Sequence, residues 1–369
     1  MTWCLSTWQG EEVRVERLEA REVTLPLRQP LVTARGRYEA RRLVVLACDL
    51  QVGRQRVRGF GEAAPLPGWT AESVEDCLAG ARDFKPGSAR SVMESLQGVP
   101  ALYAAMEMAL LDGVARAKEQ PLRELLVKLD GGEVAGVEEI ALQATLGSAG
   151  VDETLRHLAG LVDQGWTTVK LKVGVMCVEE DLERIGEVCR AFPELTLRVD
   201  ANGAWEVDQA RRFLAGAAGL DLVEQPVTPT DRAALVELAR WSPLSIAADE
   251  SVVDAAEGRR LIDDGLDALV LKPGALGGIW ATRQLMKHCL ARGRRVVLSN
   301  LIESALGRGA VAELAASLPA ASGPHGLATG AWLAEDFGEG EDVIEGGYLR
   351  LGEGPGIDVV PEVFGGGHR

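Results

Sequence analysis

The sequence predicts an α/β barrel behind a smaller α+β domain, and three observations carry that expectation. Short apolar runs recur at intervals of roughly 25 residues beyond about residue 135, spacing enough for a crossover helix between parallel strands. Strand-like and then helix-like segments fill the first third in separate blocks, the pattern of a compact α+β unit. Most of the recurring runs end on a charged or polar residue, as strands do when they open onto an active-site face.

At 369 residues the chain has room for one large domain and a smaller one. Its 47% hydrophobic and 25% charged residues lie in the ordinary globular range. Asp and Glu number 55 against 39 Lys and Arg, a formal charge of -16. Such a surface repels phosphate backbones and anionic bilayers, so neither nucleic acid nor membrane is expected as a partner. A small anionic carboxylate substrate would then need a local positive device, either a metal or clustered lysines. There is no apolar stretch of the roughly 18 residues needed to span a bilayer, and the first dozen residues do not read as a signal peptide. The six cysteines are scattered without a C-x-x-C pair, which fits reduced thiols and a cytoplasmic location.

In chain order, Val13 to Leu25, Arg41 to Leu50 and Gln55 to Glu62 read as three strands of a meander. The segment Leu25 to Tyr38 between the first two holds two prolines and three arginines and is expected to be an exposed loop covering the substrate. Arg28, Arg35 and Arg37 are its candidates for meeting a carboxylate. Thr70 to Ser73 is expected to open a helix, and Ala101 to Lys118 has apolar residues at helical spacing. The barrel runs are 140–144, 168–172, 195–200, 220–224, 244–249, 269–272 and 296–299, with a weaker eighth near Gly323 to Leu327. That arithmetic leaves a (β/α)₈ barrel and a seven-stranded one both open. The expected domains are a cap over residues 1–130, a barrel over 131–345 and a segment 346–369 returning to the cap. Alanine-rich helices make a homo-oligomer conceivable.

Barrel chemistry belongs at the C-terminal strand ends. Three successive ends carry Asp200, Glu224 and Asp249. Carboxylates forced into one small space repel, and a hard divalent cation with oxygen ligands, Mg²⁺ foremost, removes that penalty. Lys170 and Lys172 lie two apart and share a face of their strand. Lys272, from the sixth run, should stand across the barrel mouth from them. Neighbouring positive charge would lower a lysine pKa toward that of a useful base. Lys172 and Lys272 are the candidate catalytic pair, and Lys170 reads as a salt-bridge partner of the carboxylates. Arg198, two before Asp200, is a candidate anchor behind the metal.

Together, Lys170-x-Lys172, Asp200-Ala201-Asn202, Glu224-Gln225-Pro226, Asp249-Glu250-Ser251 and Lys272-Pro273 resemble the enolase superfamily in its muconate-lactonizing subgroup, and the likeness extends to Gly61-Glu62-Ala63-Ala64-Pro65. The resemblance implies a modified TIM barrel, (β/α)₇β, under an α+β capping domain. It implies Mg²⁺, with Mn²⁺ as a possible substitute, held by Asp200, Glu224 and Asp249, and removal of a proton α to a carboxylate. Asn202, Glu250, Ser299, Asn300 and Glu303 join Lys170 and Arg198 as expected substrate-side or supporting residues. Ser299-Asn300 stands where the mandelate-racemase branch would have histidine. The segment from Ser299 to Gly307 is similar to the seventh-strand motif of the o-succinylbenzoate synthases of menaquinone biosynthesis, which implies a dehydration. N-succinylamino acid racemisation is the alternative. Dipeptide epimerisation and muconate cycloisomerisation are less favoured, the former because no Asp-x-Asp follows Gly326. A non-catalytic barrel is disfavoured because every strand-end residue of the motif set is present.

Overall fold

A computed structural model describes residues 7–8, 11–33, 36–318, 323–336 and 343–365. The cap is built on four antiparallel strands in chain order: β1 (Thr7–Trp8), β2 (Glu11–Thr33), β3 (Gly36–Val52) and β4 (Gln55–Ala63). Behind them come α1 (Val74–Arg82), β5 (Gly87–Ser88) against β2, α2 (Ala89–Ser95), α3 (Pro100–Ala117) and α4 (Leu122–Leu129). Ser73, not Thr70, caps α1: its side chain accepts from Asp76 N while the Asp76 carboxylate accepts from Ser73 N. Pro100 starts α3, where its missing N–H is no loss. Helix α3 lies directly on the backbone of β4. A Cβ on Gly61 would sit 2.0 Å from Ala105 O, so glycine is what lets helix and strand approach.

The expected loop at Leu25 to Tyr38 is instead continuous with the strands. Strand pairing jumps from Pro26↔Ala40 to Leu31↔Tyr38, and residues 27–30 bulge out between these pairs. The bulge places Pro30 where no ladder donor is required, so proline does not break the strand. Its outer side joins the barrel, with Leu27 bridging Leu333 and Ala334 N donating to Pro26 O at 2.8 Å. Of the three arginines, Arg28 is exposed, Arg37 pairs with Glu39 at 2.9 Å, and Arg35 lies outside the described residues.

The barrel region begins with β6 (Glu139–Ala141) and β7 (Ala144–Leu146). Helices and strands then alternate: α5 (Val151–Asp163), β8 (Thr168–Lys172), α6 (Val178–Ala191), β9 (Thr196–Asp200), α7 (Val207–Gly216), β10 (Leu220–Glu224), α8 (Arg232–Trp241) and β11 (Ile246–Ala248). They continue through α9 (Ala255–Asp263), β12 (Ala268–Leu271), α10 (Ile279–Leu290), β13 (Arg295–Leu298) and α11 (Ala305–Ala316). Strands β7 to β13 form one curled parallel sheet in chain order. The weak eighth run is a single step long: His325 bridges Leu142 and Gly326 bridges Ser299, which closes the circle. Leu222, Ala247, Ala268, Val270 and Val297 form an apolar plug within it.

After the barrel, β14 (Ile344–Glu345) pairs with β15 (Tyr348–Arg350), which pairs with β6. The chain then lies on the cap, where Ile357 N donates to Asp112 Oδ1 at 2.8 Å and Phe364 stacks on Phe60 at 6.2 Å. Among the described residues no helix is long and apolar enough to cross a membrane.

Candidate active site

The C-terminal ends of the parallel strands open into a cavity of about 620 Å³, roofed by Leu31, Leu66 and Trp69 of the cap. Strand alternation turns Lys170 and Lys172 of β8 to the same side, and adjacency of β8, β9 and β10 brings the first two carboxylates to them. The Lys170 ammonium donates to Asp200 Oδ2 at 3.0 Å and to Glu224 Oε1 at 2.8 Å, joining the two strand ends. The Lys172 ammonium donates to Asp200 Oδ2 and to Asn202 Oδ1, both at 2.6 Å. Asn202 in turn donates to Glu250 Oε1 at 2.8 Å, and its φ of 46° is a left-handed value that asparagine tolerates. On the far flank Lys272 donates to Asp249, and its ammonium lies 3.8 Å from the centroid of the Trp69 ring.

Sheet order fixes this layout. Lys172 ends β8, Lys272 follows β12, and the three strands between them end at or just before Asp200, Glu224 and Asp249. Asp200, Glu224 and Asp249 are almost wholly buried. Burial and then the Asp200 charge push Glu224 above the ordinary glutamate range, and burial also raises Asp249. For Asp200 burial works the same way, but the ammonium groups of Lys170 and Lys172 outweigh it and hold that carboxylate low. Lys170 departs from the lowered pKa expected of the lysines. Burial disfavours its charge, yet the Asp200, Glu224 and Asp249 carboxylates outweigh burial and raise it.

The carboxylates are tied to ammonium groups in this conformation, and among the described residues no three acidic, imidazole or thiol groups stand ready-gathered around an ion. The donor set still suits a hard divalent cation. Burial pushes two of the three carboxylates up, neighbouring carboxylate charges add to it, and an oxygen-ligated ion would offset both. Glu250 lies beside them with its Oε2 buried and without a hydrogen-bond partner among the described residues.

Of the sequence-derived residues, Lys170, Lys172, Asp200, Asn202, Asp249, Glu250, Lys272, Ser299 and Asn300 line the cavity. Glu224 sits just behind, bound through Lys170. Arg198 is not brought to the cavity. It lies deeper in the barrel, tying Asp221 at 2.7 Å to Gln143 and Pro324 O, both at 2.8 Å. Glu303 lies beneath the loop after β13, accepting from Leu301 N, and burial pushes its carboxyl up to about 7. Trp332 stands at the cavity wall. Asp336 accepts from Ala305 N at 3.1 Å and pairs with Arg308, pinning the start of α11.

Sequence reasoning missed three supporting residues. Gln225 is fully buried; its Oε1 accepts from Asp249 N at 3.0 Å and Ser251 N at 3.1 Å, fixing the end of β11. The buried Arg41 guanidinium donates to Ala64 O and Pro65 O of the cap and to Leu301 O and Ile302 O of the barrel. Trp69 is the third. Gln225 had a signal in the Glu-Gln-Pro triplet, whereas Arg41 and Trp69 had none, because their partners are distant in sequence.

Comparison with known proteins agrees with this geometry. Residues 153–362 match the family described as Enolase C-terminal domain-like. An o-succinylbenzoate synthase from Thermosynechococcus vestitus is 31% identical over 295 residues, covering 78% of this chain and 85% of the relative. An N-succinylamino acid racemase from Amycolatopsis is 29% identical over 369 residues, covering 95% of each. The crystal structure of muconate lactonizing enzyme from Pseudomonas fluorescens complexed with muconolactone superposes with a TM-score of 0.83 at 25% identity, covering 95% of this chain and 97% of that one. The chain belongs to the enolase superfamily and is an enzyme of its barrel-and-cap design.

Proposed function

We propose that this enzyme is an o-succinylbenzoate synthase, removing water from 2-succinyl-6-hydroxy-2,4-cyclohexadiene-1-carboxylate to give 2-succinylbenzoate, a step of menaquinone biosynthesis. The observation that carries the reading is the pair of lysines flanking three buried strand-end carboxylates in one cavity. Asp200, Glu224 and Asp249 would hold Mg²⁺, which when bound supplies positive charge against the substrate's ring carboxylate and favours loss of the neighbouring proton. Lys172, as the free amine, takes that proton from carbon. The electron pair of the broken C–H bond moves into the ring, the C–O bond to the hydroxyl breaks, and the Lys172 ammonium returns its proton to the departing oxygen as water. Lys272 keeps a positive charge on the opposite side, where it steadies the delocalised anion. Formation of an aromatic ring drives the elimination forward.

The test is to supply the cyclohexadiene substrate with Mg²⁺ and follow 2-succinylbenzoate by its absorbance; absence of product overturns the proposal. A second reading, racemisation of N-succinylamino acids, is favoured by one specific feature: Lys172 and Lys272 face the cavity from opposite sides, as two-base proton transfer at one carbon requires. Incubation with such a compound in D₂O decides it, since lack of exchange at the α-carbon removes this reading.

A further inference from the structure

The two flanking lysines are held differently. Lys172 is bound by Asp200 and Asn202, both barrel residues, and its side chain is 30% exposed. Lys272 is 9% exposed and is enclosed between the Asp249 carboxylate and the face of Trp69, a cap residue. An ammonium group 3.8 Å from an indole centroid is within the range where the ring quadrupole attracts a cation, and the attraction is stronger away from water.

Trp69 itself is fixed. Trp69 N and Thr70 N both donate to Leu66 O, at 2.9 and 3.0 Å, and Leu66 N donates to Thr70 Oγ1 at 3.0 Å, which closes a compact turn. Gly68 in that turn has φ 103°, a conformation side chains rarely adopt. Leu66 is buried with Leu25, Leu43, Leu301 and Leu333, and Trp69 packs against this cluster. Arg41 fastens the turn's entry, at Ala64 O and Pro65 O, to Leu301 O and Ile302 O of the barrel. The position of the indole is thus set by the seating of the cap.

We infer that Trp69 is a positioning residue for Lys272: by covering its ammonium group, the docked cap sets the Lys272 side of the site, while the barrel alone sets the Lys172 side. The inference rests on the proposed roles of these two lysines and extends them to a residue outside the barrel. It predicts a one-sided defect. Trp69→Leu keeps an apolar wall but removes the ring face, and Trp69→Phe restores a ring.

The experiment uses the full chain with Mg²⁺ and measures α-deuterium exchange from each enantiomer of an N-succinylamino acid. The enantiomer whose exchange disappears in Lys272→Ala defines the Lys272 side. Trp69→Leu should slow exchange of that enantiomer roughly three- to thirtyfold, with KM within about twofold and the other enantiomer unaffected, and Trp69→Phe should recover most of the rate. Equal slowing of both enantiomers, a rise in KM alone, or no change overturns the inference. If the wild type catalyses dehydration without exchange, the same split is read in dehydration: kcat must fall in Trp69→Leu at constant KM and recover in Trp69→Phe, and an unchanged kcat overturns it. A wild type with neither activity overturns the functional reading and this inference with it, whereas an active wild type with an indifferent Trp69→Leu overturns this inference alone.

Discussion

The two sides of the cavity reach similar chemistry by unlike routes. On the Lys172 side every partner comes from β9 and the turn just after it, so sheet register delivers Asp200 to Lys172 and the left-handed turn adds Asn202. On the Lys272 side the barrel supplies Lys272 and Asp249, and the cap supplies the indole above them. A barrel with its cap displaced would keep the first side and lose part of the second. Catalytic geometry here is therefore divided between one contribution that is local in the sheet and another that depends on contacts between residues more than two hundred positions apart.

The largest expected effect falls on the barrel-built side. Lys172→Ala removes the group proposed to move the proton, and kcat should drop on the order of 10²- to 10⁴-fold. Mg²⁺ binding followed by calorimetry should persist, because Asp200, Glu224 and Asp249 remain; substantial residual turnover would reject the role. Lys272→Ala should cost dehydration on the order of 10²- to 10³-fold, as expected for loss of one group that stabilises developing charge. If the two variants are equally and completely inactive in dehydration but each retains exchange of one enantiomer, the racemase reading gains over the synthase.

Next in size is a break in the seam between cap and barrel. Arg41 is buried and spends its guanidinium donors on four carbonyls, two from each domain, with Glu62 and Glu303 close enough to support its charge. Arg41→Met keeps the length of the side chain and abandons those acceptors. Loss of one partner from such a buried charged set should destabilise the fold by about 3–5 kcal/mol, read as a lowered urea midpoint. In the fraction that stays folded, the Lys272 side should be impaired more than the Lys172 side. Equal impairment would erase the distinction between the two.

The same contrast explains what could be read from sequence. The barrel was legible because each strand is a short apolar run and each helix fits the interval, and because the chemically distinctive residues fall at run ends, as Asp200 and Glu224 do. The eighth strand was nearly invisible because it consists of two isolated bridges, His325 to Leu142 and Gly326 to Ser299, too short to show a period. The long hairpin was misread as a loop since Pro26, Pro30 and the arginines look like loop composition, and nothing local announces a bulge paired to residue 333 of the barrel. Arg198 was placed beside the metal by alternation, which gives the face of a strand but not the depth along the barrel axis. Trp69 and Arg41 act only through tertiary contacts, so no periodicity marks them.

The smallest effect concerns the titration of that seam. Glu62, from the cap, accepts from Ser304 N at 3.1 Å and from the Ser304 hydroxyl at the start of α11, and burial pushes its carboxyl up to about 7 from 4.5. Glu303 nearby is raised to about 7 for the same reason. In the unfolded chain a glutamate releases its proton near 4.5, while the folded protein keeps it until about 7, so between those values the folded state binds more protons. The stabilisation is complete below about 4.5, falls as pH rises through the window and levels off above 7, with a slope of at most about 1.4 kcal/mol per pH unit for each group. Glu62→Gln keeps an acceptor for Ser304 and cannot titrate. Urea unfolding at pH 5, 6, 7 and 8 should show a shallower decline in the variant than in the wild type, with the difference confined to the region below pH 7. A decline of the same steepness in both would mean that the cap's carboxyl at this seam is already ionised on folding, and that Arg41 alone balances the charge there.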